Sequence, residues 1–125
     1  MTASTIPDVF ARYSDNQACA AVAAQCVADV VVAGTVADEP TFFVGKQTHA
    51  RHETFDIVTE HGLHLRVVDN VSLAPPVAVH EGDTLVVAGQ LIPTRSGAIV
   101  HDTHHCPGPG WHQGGWIEWN GMRYA

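Results

Sequence analysis

The chain has 125 residues, of which 46% are hydrophobic and 15% are charged. This composition is typical of one globular domain and excludes a disordered protein. The formal charge is −7 with the histidines neutral, and only six residues are Lys or Arg. Because such a charge repels phosphate backbones, it excludes non-specific nucleic-acid binding through a broad basic surface.

The N-terminal part of the chain predicts a flexible segment at residues 1–14, followed by a single domain at residues 15–125. The run DNQACAAVAAQC, from Asp15 to Cys26, has apolar residues at helical spacing and predicts one short helix with Asp15 at its N-cap. Cys19 and Cys26 would then lie about 10 Å apart along the helix axis, beyond the reach of a disulfide. Reduced cysteines predict a cytoplasmic protein.

Targeting and membrane segments are not expected. The apolar run AAVAAQCVA near the N-terminus is short and is preceded by acidic residues, which is unlike a signal peptide. No stretch approaches the roughly 18 apolar residues of a membrane-spanning helix, so no membrane partner is expected.

Strand patterns follow the helix. The valine-rich run VADVVVAGTV at 27–36 predicts a long first strand. In RHETFDIVTEHGLHLRVVDN, at 51–70, two alternating runs flank a three-residue turn at 60–62 that ends in glycine. In that register Ile57 lies opposite Leu65 on the buried face, whereas His52 lies opposite Asn70 on the other face.

The second half of the chain predicts further short strands. A Gly-Asp turn at 82–83 opens a strand in which Gly89 marks a bend or a close approach. A turn at 95–97 then leads into AIVHDTHH, and Asn120-Gly121 predicts a hairpin near the C-terminus. One short helix and five to six strands predict a mainly β protein, a small barrel like the OB-fold, with a β-sandwich as the alternative.

The stretch IVHDTHHCPGPGWHQGGW, at 99–116, holds four histidines. In a regular strand His101, Thr103 and His105 share one face, while Asp102 and His104 share the other. A bulge near Thr103 or a turn after His105 is needed before the rings reach one site. Solvated surface histidines, and direct binding or acid–base work without a metal, are the alternatives to a metal site.

A metal site would use His101 and His104, with His112 or His52 as the third ligand. Three imidazole nitrogens with an open fourth position suit a divalent transition metal, zinc above all. His52 and His105 would then transfer protons.

The remaining candidates concern ligand binding. Asn70, Thr103 and Trp111 are expected to contact a ligand, although the tryptophans also suit an aromatic core. Arg66 would meet an anionic ligand or would only pair with Asp56 across the hairpin.

Four blocks of this sequence resemble a bacterial family catalogued as domain of unknown function 3465: HETF at 52–55, DNVSLAPPV at 69–77, EGD at 81–83 and VHDTHHCPGPGWHQGGWIEWNG at 100–121. The likeness runs from about residue 27 to the end. It implies no established reaction, but it implies that one group of residues acts together: His52, Asn70, His101, Thr103, His104, His105 and His112. The family usually has a histidine at Asp69 and an acidic residue at Cys106. Many members look secreted, which opposes the cytoplasmic expectation.

Three functions are consistent with the sequence. The first is a binding module, an OB-like barrel whose histidine-rich mouth holds a small molecule, a nucleotide or a transition metal. The second is a metal-dependent hydrolase of phosphodiesters or nucleotides, in which Arg66 or Arg95 would meet the anion. The third, single-stranded nucleic-acid binding, is disfavoured by the negative charge. The sequence leaves open whether the protein is an enzyme and what its oligomeric state is.

Overall fold

The structure is a computed structural model that describes residues 8–106, 108 and 113–125. Its N-terminal part contains two short helices, α1 at Asp8–Arg12 and α2 at Asn16–Ala24, where the sequence predicts one. α1 falls within the predicted flexible segment at 1–14, whose first seven residues lie outside the described ones. The prediction of a single helix is therefore wrong.

Asp15 occupies the N-cap position of α2 but makes no side-chain capping hydrogen bond. Its carboxylate instead accepts hydrogen bonds from Thr59 Oγ1 at 2.6 Å, from the His61 backbone N–H at 2.9 Å and from His61 Nδ1 at 2.6 Å. The side chain is 1% exposed. Asp15 therefore anchors the start of the helix to a turn that is distant in sequence.

The described residues form eight strands rather than five to six. These strands are β1 at Ala28–Val36, β2 at Thr41–Val44, β3 at Arg51–Val58, β4 at His64–Asn70, β5 at Thr84–Thr94, β6 at Gly97–His101, β7 at Trp116–Trp119 and β8 at Met122–Tyr124. β2 is the strand that the sequence pattern does not show. It directly follows Pro40, pairs only with β3, and all four of its residues are exposed, so no buried alternation marks it.

Five of the strands form a closed ring in the order β1, β3, β4, β6, β5 and back to β1. All neighbours in the ring are antiparallel except β4 and β6, which are parallel. β2 extends the sheet beside β3, and the β7–β8 hairpin pairs with β5. The protein is mainly β, as predicted.

The interior of the ring is filled by apolar side chains. Its largest fully buried apolar members are Phe55, Ile57, Leu65, Leu85, Leu91 and Ile117. Each such side chain contributes about 1.5–3 kcal/mol relative to an exposed one, so they dominate the stability of the ring.

The β3–β4 hairpin has the predicted register. Ile57 lies opposite Leu65, and His52 lies opposite Asn70. Gly62 has φ of +81°, the left-handed conformation that the three-residue turn requires. The expected hairpin at Asn120-Gly121 is also present, because both residues have positive φ and Trp119 pairs with Met122.

Gly89 is a point of close approach, as predicted. A Cβ at this position would clash with the carbonyl oxygen of His101, on the neighbouring strand β6. The glycine thus lets β5 and β6 come together at the end of β6, where the histidine-rich segment begins.

No disulfide joins Cys19, Cys26 and Cys106, all of which lie in the described part of the chain. Among the described residues, no helix has the length and apolar character needed to cross a lipid bilayer.

Candidate functional site

The segment after β6 determines where the histidines lie. β6 ends at His101, and Asp102 has φ of +54°, so the chain turns there instead of continuing as a strand. Thr103 and His104 are both buried, whereas His105 is exposed. The alternation expected for a regular strand through 105 is therefore wrong beyond His101.

The turn helps to bring four of the predicted residues to one cavity, here called the histidine pocket. The pocket has a volume of about 250 Å³. Its lining comprises His52 from β3, Val68 and Asn70 from β4, and His101, Asp102 and His104 from the end of β6, with Thr48 and Leu73 at its edges. Predicted site residues from three separate segments thus meet in one place.

His52 is held by β2 and by the loop that follows it. Its ring stacks on Phe43, with ring centroids 5.1 Å apart and an interplanar angle of 15°. A Cβ at Gly45 would lie 3.2 Å from His52 Cε1 and 2.6 Å from Thr48 Oγ1, so glycine gives the ring room. Nδ1 of His52 is buried and has no hydrogen-bond partner among the described residues.

Asp102 places a carboxylate between two imidazoles. Its oxygens lie 3.7 Å from His101 Nε2 and 4.0 Å from His104 Nε2. His104 Nδ1 lies 2.7 Å from the carbonyl oxygen of His105, which can only accept, so Nδ1 carries the proton of that bond. His101 Nε2 also lies 2.8 Å from Gln90 Oε1. Hydrogen-bond donors and acceptors therefore lie next to one another in the wall of the pocket.

Thr103 supports this wall from inside the ring rather than lining the pocket. Its hydroxyl donates to Asp69 Oδ1 at 2.8 Å, and both side chains are fully buried. Glu53 lies opposite Asp69 in the β3–β4 register and accepts the Val77 backbone N–H at 2.9 Å. The hydrogen bond from Thr103 to Asp69 ties β4 to the segment that carries Asp102 and His104.

Both buried acids are perturbed. Burial raises the pKa of Asp69 to about 7, although the Thr103 hydrogen bond opposes this shift and the nearby Glu53 adds to it. Burial also raises the pKa of Glu53. A carboxyl group with such a pKa can hold a proton near neutral pH, which relieves the repulsion between the two acids.

Other predicted residues lie elsewhere. Arg66 lines a neighbouring cavity and pairs with Asp56, with Nη2 3.2 Å from Oδ2. His105 is exposed and is not part of the pocket lining. Trp111 and His112 lie outside the described residues, so their predicted roles stay predictions.

The tryptophans that the structure describes do not face the pocket. Trp116 is covered by Arg123, whose Cζ lies 3.9 Å from the ring centroid, and meets Tyr13 edge to face. Trp119 packs against the core. Their arrangement agrees with a packing role better than with a stacking platform.

Comparison with known families gives a match to the family described as protein of unknown function DUF3465, over residues 3–125. The chain belongs to this family. The resemblance seen in the four sequence blocks is therefore confirmed, and it reaches further toward the N-terminus than expected. Searches of curated proteins and of solved structures found no match.

The pocket of this DUF3465 chain does not gather three metal-ligand atoms from its described residues. In the part of the chain that the structure describes, three such atoms within 4.8 Å of one another occur only at Asp15, Glu60 and His61. The Asp15 carboxylate already accepts hydrogen bonds from Thr59 and His61, as expected of a residue that holds α2 against the turn at 59–61. The predicted third ligand of the pocket, His112, is not among the described residues.

Sequence reasoning did not assign five residues in or beside this DUF3465 site. Asp102 is adjacent to His101, but only its left-handed backbone brings its carboxylate toward both rings. Thr48 and Phe43 come from a strand and loop with no buried pattern. A signal for Asp69 and Glu53 did exist, because the correct hairpin register places both on the same face as Phe55.

Proposed function

We propose that this protein is a binding module whose histidine pocket holds a small polar ligand or a transition metal. The observation that carries the proposal is the meeting of His52, Asn70, His101 and His104 in one pocket of about 250 Å³. Ligand pockets typically have volumes of about 300–1,000 Å³, so this one suits a small molecule or one end of a longer one.

The buried Nδ1 of His52 supports the same proposal. A buried polar atom without a partner costs about 1–3 kcal/mol, and proteins rarely keep one without a reason. A ligand that supplies the missing hydrogen bond, directly or by reorienting the ring, gives such a reason.

The strand arrangement supports an OB-like barrel as the scaffold. In the ring, the first strand pairs with the second and the fourth, and the third and fifth are parallel. This is the arrangement of the five-stranded OB-fold, whose sheet face and loops bind ligands. A cytoplasmic location, favoured by the unbridged cysteines, belongs to the same proposal.

A titration tests the pocket. We expect Zn²⁺, or at least one compound in a panel of small sugars, nucleosides and amino acids, to shift the NMR signals of His52, Asn70 and His101. Asn70→Ala and His101→Ala should each weaken that binding about tenfold or more, because each removes a polar contact in a sheltered site.

His80→Ala is the matched control, because the His80 side chain is 75% exposed and lies outside the pocket. It should leave binding unchanged. The proposal is wrong if neither Zn²⁺ nor any compound shifts the pocket signals, or if binding survives in both pocket variants.

The hydrolase alternative has less support. It needs Arg66 or Arg95 and a proton-transferring histidine, His105 or His52, beside one metal-bound substrate. His52 lines the pocket, but neither arginine does, and His105 is exposed. Asp102 beside His101 and His104 is the feature that favours it, since carboxylates and imidazoles are zinc ligands, but the ligand atoms of these three residues do not all lie within 4.8 Å of one another. Stoichiometric Zn²⁺ with turnover of a phosphodiester would promote this alternative.

A further inference from the structure

A second cavity lies on the same outer face of the ring as the histidine pocket. It has a volume of about 480 Å³ and is lined by Asp56, His64, Arg66, Ser96 and Ile99 among others. Side chains alternate along a strand, so Arg66 and Ile99 point away from the core that Leu65, Val67 and Val100 fill.

The two cavities follow one another along the same strands. On β4, His64 and Arg66 line the second cavity, and the next outward residues, Val68 and Asn70, line the histidine pocket. On β6, Ile99 is likewise followed by His101. At about 3.3 Å per residue, the outward face from His64 to Asn70 is about 20 Å long. The two cavities therefore follow one another along one face of the sheet, and this face is here called the groove.

The arginine of the groove is already paired with a carboxylate. Arg66 lies 3.2 Å from Asp56, and Asp102 lies beside His101 and His104. A polyanion would meet an arginine whose charge is already neutralised, and the formal charge of −7 would repel it. A polyanion is thus a poor fit.

A peptide that adds a strand is also a poor fit. Such a peptide needs an open backbone edge that runs past both cavities, but β4 pairs with β3 over 64–70 and also with β6 over 65–67, beside the second cavity. Any ligand must therefore be recognised by side chains on the face of the sheet.

Hydroxyl groups match these side chains. A hydroxyl group both donates and accepts hydrogen bonds. Neighbouring hydroxyls can therefore accept from an arginine and donate to the aspartate beside it, or bond both the NH2 group and the oxygen of the Asn70 amide, without separating an ion pair. We propose that the groove binds a neutral oligosaccharide, with one sugar unit in the histidine pocket and another beside the Arg66–Asp56 pair. This inference rests on the proposed function and extends it to a second subsite.

Calorimetric titration with cellotetraose, maltotetraose and chitotetraose tests the inference, with glucose and N-acetylglucosamine as the single units and oligothymidylate of similar length as the polyanion. At least one tetrasaccharide should bind about tenfold or more tightly than its single unit, because it reaches both subsites. Its affinity should change little between about 50 and about 500 mM NaCl, since no net charge is neutralised.

Variants separate the two subsites. Arg66→Ala and Asp56→Asn should weaken the tetrasaccharide about tenfold and leave single-unit binding unchanged, whereas Asn70→Ala should weaken both. Arg123→Ala is the matched control, because Arg123 also pairs with a carboxylate across two strands, at 3.1 Å from Glu118, but lies outside the groove. It should change neither affinity.

Three results would overturn the inference: no binding by any of the three tetrasaccharides, equal affinity for the tetrasaccharide and its single unit, or salt-sensitive binding of oligothymidylate that is tighter than that of any sugar. If Asn70→Ala weakens a single unit or Zn²⁺ while Arg66→Ala has no effect on the tetrasaccharide, the second subsite is wrong and the histidine pocket stands.

Discussion

Asp69 and Glu53 face each other across β3 and β4 inside the ring, and neither reaches solvent. Two ionised carboxylates at such a position would repel each other without screening by water. The raised pKa of Asp69, about 7, indicates that one of the pair is mostly protonated below about pH 7. Between about pH 4 and pH 7, Asp69 therefore takes up a proton when the chain folds.

The sign of the resulting pH dependence follows from that proton. The pKa of Asp69 rises from an ordinary value of 3.8 in the unfolded chain to about 7 in the folded protein. Its contribution to the free energy of unfolding is therefore fully present below about pH 4 and is lost as the pH rises through 7. Between these values the group reduces stability by about 1.4 kcal/mol per pH unit. Asp69→Asn removes this dependence and keeps an acceptor for Thr103. We expect the variant to be more stable than the wild type at pH 8 in urea denaturation, by up to about 4 kcal/mol, which is the loss accumulated over about three pH units.

Asp29→Asn, at an exposed position of β1, is the matched control and should leave the pH profile unchanged. An Asp69→Asn profile as steep as that of the wild type would show that Asp69 is ionised in the folded protein.

Asp15 and His61 show the opposite behaviour of a paired acid and base. Burial by itself raises the pKa of Asp15, but the hydrogen bonds from Thr59 and His61 outweigh it and lower the pKa to about 2. The hydrogen bond to Asp15 raises the pKa of His61 above its ordinary value of 6.5. The Asp15 contribution is lost as the pH falls toward 2, and the His61 contribution is lost as the pH rises through its raised pKa.

The Asp15–His61 pair is thus strongest between about pH 4 and about pH 6.5. His61→Ala should lower the Tm more at about pH 5.5 than at about pH 9. His80→Ala is the control, because His80 and its partner Glu39 are both more than half exposed and their interaction is screened by water. An equal loss of Tm at both pH values for His61→Ala would contradict the ion-pair explanation.

At the scale of elements, the β3–β4 hairpin depends on its turn. Gly62 has φ of +81°, where a residue with a Cβ is strained, although no atom within 4 Å would obstruct that Cβ. Gly62→Ala should destabilise the protein by about 1 kcal/mol through the backbone alone. Gly114→Ala is the control, since its Cβ would make only an ordinary contact, 3.9 Å from the Cys106 backbone nitrogen. Chemical denaturation of both variants measures the difference, and equal stabilities would contradict the argument.

The same hairpin shows why some elements are predictable. Apolar alternation on both strands and a glycine at the right distance leave one register that buries Ile57 against Leu65, and the structure has it. β2 has no such signal, because its side chains are all exposed. The turn at the end of β6 is equally hard to predict, because it depends on a positive φ at Asp102 and an aspartate is a weaker turn signal than a glycine.

At the scale of the whole molecule, the ring distributes stability unevenly. β1 is bonded to β3 and to β5, and its central Val32 lies opposite Val87, with both side chains fully buried. β2 is bonded to β3 alone and is exposed throughout. We expect backbone amides near Val32 and Val87 to exchange with deuterium only through global unfolding, and those of β2 to exchange faster by orders of magnitude in NMR measurements. Equal protection of the two regions would contradict this picture.

Four of the predicted site residues come together, but the shape of their pocket was not predictable. The spacing of the histidines and the hairpin register named His52, Asn70, His101 and His104, and these four line one pocket. Their assembly depends on ring closure and on the turn at Asp102, which are properties of the folded chain rather than of a local pattern. Arg66 was predicted to meet an anionic ligand. Only the parallel pairing of β4 with β6 shows that it lies on the same face of the sheet as Asn70 and His101.

The left-handed backbone of Asp102 decides which substitutions there can be interpreted. Alanine would remove the carboxylate and also disfavour the local conformation, so an alanine scan would merge a chemical loss with a distorted loop. Asparagine tolerates the same φ and removes only the charge, while glycine removes the whole side chain and keeps the turn. A comparison of these two replacements would isolate what the carboxylate itself contributes.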